Sequence, residues 1–156
     1  MKKICHITSV HPVFDVRIFH KECKTLAIEG YDVTLIAQHN KNEVVEGIKI
    51  ISLPKPKNRL ERFTKLDYLC YKKALQQRAD IYHFHDSELL PWMLKLKKKI
   101  NAKIIYDVHE DYSKQILSKY WIPKILRKII AGLFNFYEKK KIRNIDYIVV
   151  VGEDVK

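Results

Sequence analysis

The chain has 156 residues, the size of one domain with its own core. At 47% hydrophobic and 31% charged its composition excludes a disordered chain, and no run reaches the roughly 18 apolar residues expected of a spanning helix. The net charge of +12 and the pI near 9.6 favour anionic partners: nucleic acid, anionic lipid headgroups or phosphorylated substrates. Three isolated cysteines, Cys5, Cys23 and Cys70, lie in apolar stretches and read as buried thiols in a reducing compartment, not as a disulfide framework. Met1-Lys2-Lys3-Ile4-Cys5-His6 runs straight into a strand, without the longer apolar region and small-residue cleavage site of a signal peptide. The expected location is the cytoplasm, with contact to the inner face of the membrane.

Residues 3–8 read as a buried strand, followed by a loop over 9–16. Asp15 is placed to cap a helix over 17–29, in which Phe19, Cys23, Leu26 and Ala27 form one apolar stripe. Gly30 stands where a helix-ending glycine belongs, and 33–37 is the next strand. This is the pattern of a βαβ unit. Residues 38–47 are polar and read as a loop, 48–53 as a third strand ended by Pro54 and Pro56. A helix over 59–77 carries Phe63, Leu66, Cys70 and Ala74 on one side. Strand four covers 80–84. A helix over 87–99 has Pro91 near its first turn, where proline is tolerated. Strand five covers 103–106, a long helix 124–141, and strand six 147–151, whose unbroken apolar run suits a parallel strand covered on both faces. About six strands alternating with helices predict a Rossmann-like, doubly wound α/β domain with strand order 3-2-1-4-5-6.

In such a sheet, ligands bind beyond the carboxyl ends of the strands, where the order reverses. Three segments converge there: the loop with His11, Asp15 and Arg17, the turn His85-Asp86-Ser87-Glu88, and the turn His109-Glu110-Asp111-Tyr112. Asp15 and Asp86 read equally as helix caps. Arg17 reads equally as the partner of a carboxylate. His83 and His85 share a strand face, and His83 reads as a packed or hydrogen-bonded histidine without a role in chemistry. His109 follows a buried strand at the mouth of the crevice with two carboxylates beside it, and is the leading functional candidate. The first loop has no glycine, so neither a dinucleotide fingerprint nor a P-loop is present. His85, Asp86, His109, Glu110 and Asp111 have the right donor types for a metal, but no ligand spacing supports one, and no metal or cofactor is expected.

The excess charge is clustered. Residues 54–78 hold eight Lys or Arg against two acids, 95–103 hold five and no acid, and 119–143 hold eight against Glu138 alone. The last segment is also apolar, with Tyr120, Trp121, Ile125, Leu126, Ile129, Ile130, Leu133, Phe134 and Tyr137. Its stripe is expected to pack on the sheet, and the summed charge to attract an anionic membrane surface. Nucleic acid fits less well, since no recognition motif or base-stacking platform is evident.

Three motifs then carry a resemblance. The run from His11 to Glu22 (HPVFDVRIFHKE), with Leu26-Ala27 and Gly30-Tyr31-Asp32-Val33-Thr34 after it, resembles the opening of group 1 (family 4) glycosyltransferases. His83-Phe84-His85-Asp86-Ser87-Glu88-Leu89 resembles the family's H-x-H-D-P-E-L segment, with Ser87 in place of proline, and Tyr106-Asp107-Val108-His109-Glu110 its Y-D-x-H-E motif. The resemblance implies one half of a GT-B architecture, 1–156 being the N-terminal acceptor-side domain without the C-terminal donor-binding domain. It implies retaining sugar transfer from a nucleotide-sugar donor to a glycan or lipid-linked acceptor, with the nucleotide-sugar as co-substrate, no cofactor and no essential metal. By the same resemblance His109 contacts the donor sugar as the catalytic residue. His11, Asp15 and Arg17 lie where donor and acceptor meet, His85, Asp86 and Glu88 line the acceptor side, and Glu110 and Asp111 belong to the same site. The implied setting is bacterial surface polysaccharide synthesis. The partners are the anionic membrane surface and a donor domain in the same or a separate chain, and no transfer is expected from this chain alone.

Overall fold

A computed structural model describes residues 1–108, 116–120 and 122–150. The described residues form one seven-stranded sheet with helices on both faces. In chain order these are β1 (Lys3–Pro12), helix α1 (Val16–Cys23 continuing as Lys24–Ile28), β2 (Asp32–Gln38), β3 (Glu43–Val45), β4 (Ile48–Leu53) and helix α2 (Arg59–Glu61, Arg62–Leu66, Asp67–Gln77). Then come β5 (Ile81–Phe84), helix α3 (Ser87–Leu89 continuing as Leu90–Lys97), β6 (Lys103–Val108), α4 (Lys124–Ile142) and β7 (Tyr147–Val150).

The sheet order is β3-β4-β2-β1-β5-β6-β7, parallel except where β3 pairs antiparallel with β4. Without β3, this is the expected order 3-2-1-4-5-6, and it reverses direction between β1 and β5. Side chains alternate across the sheet. Cys5, Ile7, Ile36, Tyr82, Phe84 and Ile104 join α2 and α3 in one core. Val33, Leu35, Ala37, Ile48 and Ile50 join Ile18, Phe19 and Cys23 of α1 in the other. All three cysteines are buried and unpaired with one another.

Several local expectations are corrected. The polar segment 38–47 contains β3, closed onto β4 by Glu46 and Gly47, both at positive φ (50° and 81°), a backbone that fits a tight hairpin. β1 continues past residue 8 to Pro12 through an irregular register. Its turn there is held because Thr8 Oγ1 accepts the N–H groups of Val10 (3.3 Å) and His11 (2.9 Å). In α2, residues Arg62–Leu66 are π-wound, which turns Phe63 outward while Leu66, Cys70 and Ala74 remain buried.

The far edge differs more. β7 was expected to be covered on both faces, yet all four of its residues are exposed among the described residues, because it is the last strand of the sheet. The stripe of α4 was expected to pack on the sheet, yet Ala131 is the one buried residue of that helix, and Ile125, Ile129, Leu133 and Phe136 are exposed. No described helix is long and apolar enough to cross a membrane.

Candidate functional site

The reversal between β1 and β5 leaves the carboxyl ends of β1, β5 and β6 side by side, and two polar clusters occupy that end of the molecule. The first grows from Asp86, just after β5. Its carboxylate accepts from Thr8 Oγ1 (2.9 Å) and the Ser9 N–H (2.7 Å), fastening β5 to the bend of β1. Asp86 therefore stands at the start of α3 without capping it with its side chain. His11 Nε2 lies 3.6 Å from Asp86 Oδ1, and its Nδ1 3.8 Å from Asp15. The first and second predicted segments thus meet at His11. Asp15 does cap: its Oδ1 accepts the N–H groups of Arg17 (2.9 Å) and Ile18 (3.0 Å) at the start of α1.

Glu88 accepts from Ser9 Oγ (2.9 Å) and from Arg62, whose Nη2 donates at 3.0 Å. Burial raises the Glu88 carboxyl above its ordinary value, and Arg62 opposes the rise. Beneath it, Asp67 is buried with Oδ1 unpartnered, and burial, then the charge of Glu88, pushes its carboxyl up to about 7. A carboxyl raised in the folded state binds a proton there before it does in the unfolded chain, so its contribution falls as pH climbs from about 4 to about 7. Asp67→Asn is expected to stabilise the chain at pH 8 by on the order of 2 kcal/mol, with the gain shrinking toward pH 4. Urea unfolding across that range checks it, and a difference that does not change with pH would refute it.

The second cluster lies on the α1 side of the sheet. His6 of β1 pairs in register with His83 of β5, and His85 follows on the same face. The three rings stack or tilt with centroids 4.7 to 5.4 Å apart. Asp107 of β6 is fully buried beside them, its Oδ2 3.3 Å from His85 Nδ1 and 3.8 Å from His83 Nε2. Arg17 reaches down from α1 and grips Asp107 with both arms of its guanidinium, Nε at 3.0 Å and Nη2 at 2.8 and 2.9 Å. Its Nε also lies 3.0 Å from Glu22 Oε1.

The winding of α1 makes this reach possible. Val16–Cys23 is π-wound, so residues five apart come round to one side, and Arg17 and Glu22 both face the sheet. Burial, then the nearby charge of Asp107, raises the Glu22 carboxyl to about 7 against the pull of Arg17. Burial, then His83 and His85, holds the His6 imidazole well below its ordinary value, so the ring is neutral.

Of the predicted site residues, His11, Asp15, Arg17, His85, Asp86 and Glu88 are brought to one end of the sheet, while His109, Glu110 and Asp111 lie outside the described residues. His6, Glu22, Asp67 and Asp107 were not picked out from the sequence, and His83 packs in a cluster of charged and ionisable groups. A depression lined by Asp80, Lys97, Asn101, Lys103 and Asp146 lies at the opposite end of the strands, and its Asp146 is paired with Lys97 (2.7 Å) and Lys103 (3.4 Å).

The model of glycosyltransferase family 4 matches residues 16–156. The chain belongs to that family. Among solved structures, the family 4 chain is similar to sucrose-phosphate synthase from Thermosynechococcus elongatus, with a TM-score of 0.68 at 15% identity over 97% of this chain. That likeness shows the fold, and the chain spans 43% of the length of that structure. No curated protein matches it in sequence. The switch-point crevice between β1 and β5, where His11 meets Asp86, is therefore the candidate site of a family 4 domain.

Proposed function

We propose that this chain is the N-terminal, acceptor-side domain of a retaining glycosyltransferase that moves a sugar from a nucleotide-sugar to a glycan or lipid-linked acceptor. In that transfer the bond from the anomeric carbon to the diphosphate breaks, the diphosphate departs with the electron pair, and an acceptor hydroxyl bonds to the same face as it loses its proton. The observation that carries the reading is the meeting of His11, Asp15 and Asp86 at the switch point of a family 4 chain. Half-exposed His11 and Asp15 offer a donor and an acceptor for sugar hydroxyls, and Val10, Phe14 and Val16 on the same loop are exposed apolar surface for a sugar face or lipid. His109 is assigned to the donor sugar. The nucleotide is assigned to a C-terminal domain in the same or a separate chain, and neither a cofactor nor a catalytic metal takes part.

The test is sugar transfer from a panel of radiolabelled nucleotide-sugars to a membrane extract. The natural gene product, or this chain with its donor-domain partner, is expected to label the extract, and the pure 156-residue chain is not. Turnover by the pure chain, or none by the complete protein with any donor, would overturn the reading.

A second role is favoured by α4, whose exposed Ile125, Ile129, Leu133 and Phe136 share a helix with Lys124, Lys128 and Lys139–Lys141. An amphipathic basic helix of this kind suits a peripheral site at an anionic membrane, where the acceptor of a bacterial surface polysaccharide pathway is held. The chain is expected to co-sediment with vesicles containing phosphatidylglycerol at low salt and to be released by salt. Equal recovery with neutral vesicles would remove the electrostatic part of that role.

A further inference from the structure

The cluster on the α1 side of the sheet carries more than an ion pair. One donor atom from each of His6, Glu22, His83 and His85 lies within 4.8 Å of the other three. Glu22 Oε2 is the hub: it sits 3.7 Å from His6 Nδ1, 3.8 Å from His85 Nε2 and 4.0 Å from His83 Nδ1. His6 Nδ1 and His85 Nε2 are 3.2 Å apart. Four ligands at about 2.0–2.1 Å around a tetrahedral zinc ion stand about 3.3–3.4 Å from one another. The named separations run from 3.2 to 4.0 Å and no pair exceeds 4.8 Å, so the four atoms close by up to about 1.4 Å at their widest to reach that spacing.

Two features point to a ligand at their centre. Glu22 Oε2, the hub atom, is buried without a hydrogen-bond partner, and His6 beside it is wholly inaccessible. A buried carboxylate oxygen facing three imidazole nitrogens is costly unless something satisfies it. The outer shell is also of the kind that holds metal ligands in place. The far oxygen of Glu22 is held by Arg17 at 3.0 Å, and the far nitrogen of His85 faces the buried Asp107 at 3.3 Å.

We propose that His6, Glu22, His83 and His85 form a closed, four-coordinate site for a divalent transition metal, zinc by its three-nitrogen, one-oxygen donor set. Four protein ligands leave no open position, so the ion is structural. It ties α1 to β1 and β5 behind the loop that carries His11 and Asp15, and takes no part in sugar transfer. It differs from the metal set weighed in the sequence, with which it shares only His85.

The test uses the tag-free 156-residue chain, stripped with chelator and titrated with zinc, then separately with cobalt(II). The expected result is one zinc per chain, a raised Tm, and the visible bands of tetrahedral cobalt(II). In nitrogen-edited spectra of the wild-type protein, the ring signals of His6, His83 and His85 are expected to shift on zinc addition, with those of His11, His20 and His39 unchanged. Glu22→Gln and His83→Gln are each expected to weaken zinc binding at least about tenfold, with His20→Gln as the control. The wild-type spectra decide the matter even where a variant fails to fold. No stoichiometric binding, or binding that shifts the other histidines and survives both substitutions, would overturn the site.

Discussion

An Arg17→Ala variant is expected to lose about 3 kcal/mol of stability in urea unfolding, since removing one partner of a buried ion pair leaves the other charge uncompensated. For a domain of this size that is a Tm lower by about 6–12 °C. Asp107 is fully buried near the carboxyl end of β6, and Arg17 grips it through both guanidinium arms at 2.8–3.0 Å. Without Arg17 its carboxylate loses the guanidinium and is left beside Glu22 and the imidazoles of His83 and His85, where it either takes up a proton or draws in water. The arginine is itself partly open to solvent, which holds the effect to the low end of the range for buried pairs. Arg17→Lys is expected to recover only part of the loss, because an ammonium cannot make the two-armed contact. Adding Asp107→Asn to Arg17→Ala is expected to restore most of it, since the stranded charge is gone. A single variant losing less than about 1 kcal/mol would place the pair among surface bridges of little consequence.

The sheet order and the crevice were legible because each depended on local signals. Apolar runs such as Val33–Ala37 alternate with helical stripes, and the handedness of parallel crossovers does the rest. What stayed hidden depended on geometry that residue spacing does not carry. On an α-helix, Arg17 and Glu22 stand about 140° apart, and nothing in a period of 3.6 suggests that they share a face. The π-wound turn brings them together. The hairpin of β3 and β4 was missed because Glu46, not the usual asparagine or glycine, takes the first positive-φ position beside Gly47.

Asp107 left a usable sign: a charged residue in Ile104-Ile105-Tyr106-Asp107-Val108 has to find a partner if the strand is buried. The same holds for His6 between Cys5 and Ile7. Their meeting with His83 and His85 required the register of three strands, which only the folded sheet supplies. On α4 the apolar stripe and the lysines were both readable, but an amphipathic pattern does not say what the stripe faces, and here it is not the sheet.

The largest effect on activity is expected at His109. In the complete enzyme of the proposed function, His109→Ala should lower kcat by about 10²–10⁴-fold, the range of a positioned proton-handling or charge-stabilising group, with a smaller change in KM. Two links connect that expectation to the fold. His109 is the next residue in sequence after Val108, where β6 ends at the carboxyl side of the sheet. Asp107, two residues earlier, is pinned by Arg17, which fixes the end of the strand from which His109 departs. Arg17→Lys should therefore lower kcat as well, through position and not through contact with the sugar. Misplacement of a reacting group by about 1 Å costs as much as 10²-fold. The two variants separate in their pH profiles: the titrating limb that belongs to His109 disappears in His109→Ala and persists, at reduced rate, in Arg17→Lys. A His109→Ala enzyme within about threefold of the wild-type kcat would fall far short of any acid–base contribution, and the chemistry would then be sought among His11, Asp15 and Asp86 at the mouth of the same crevice.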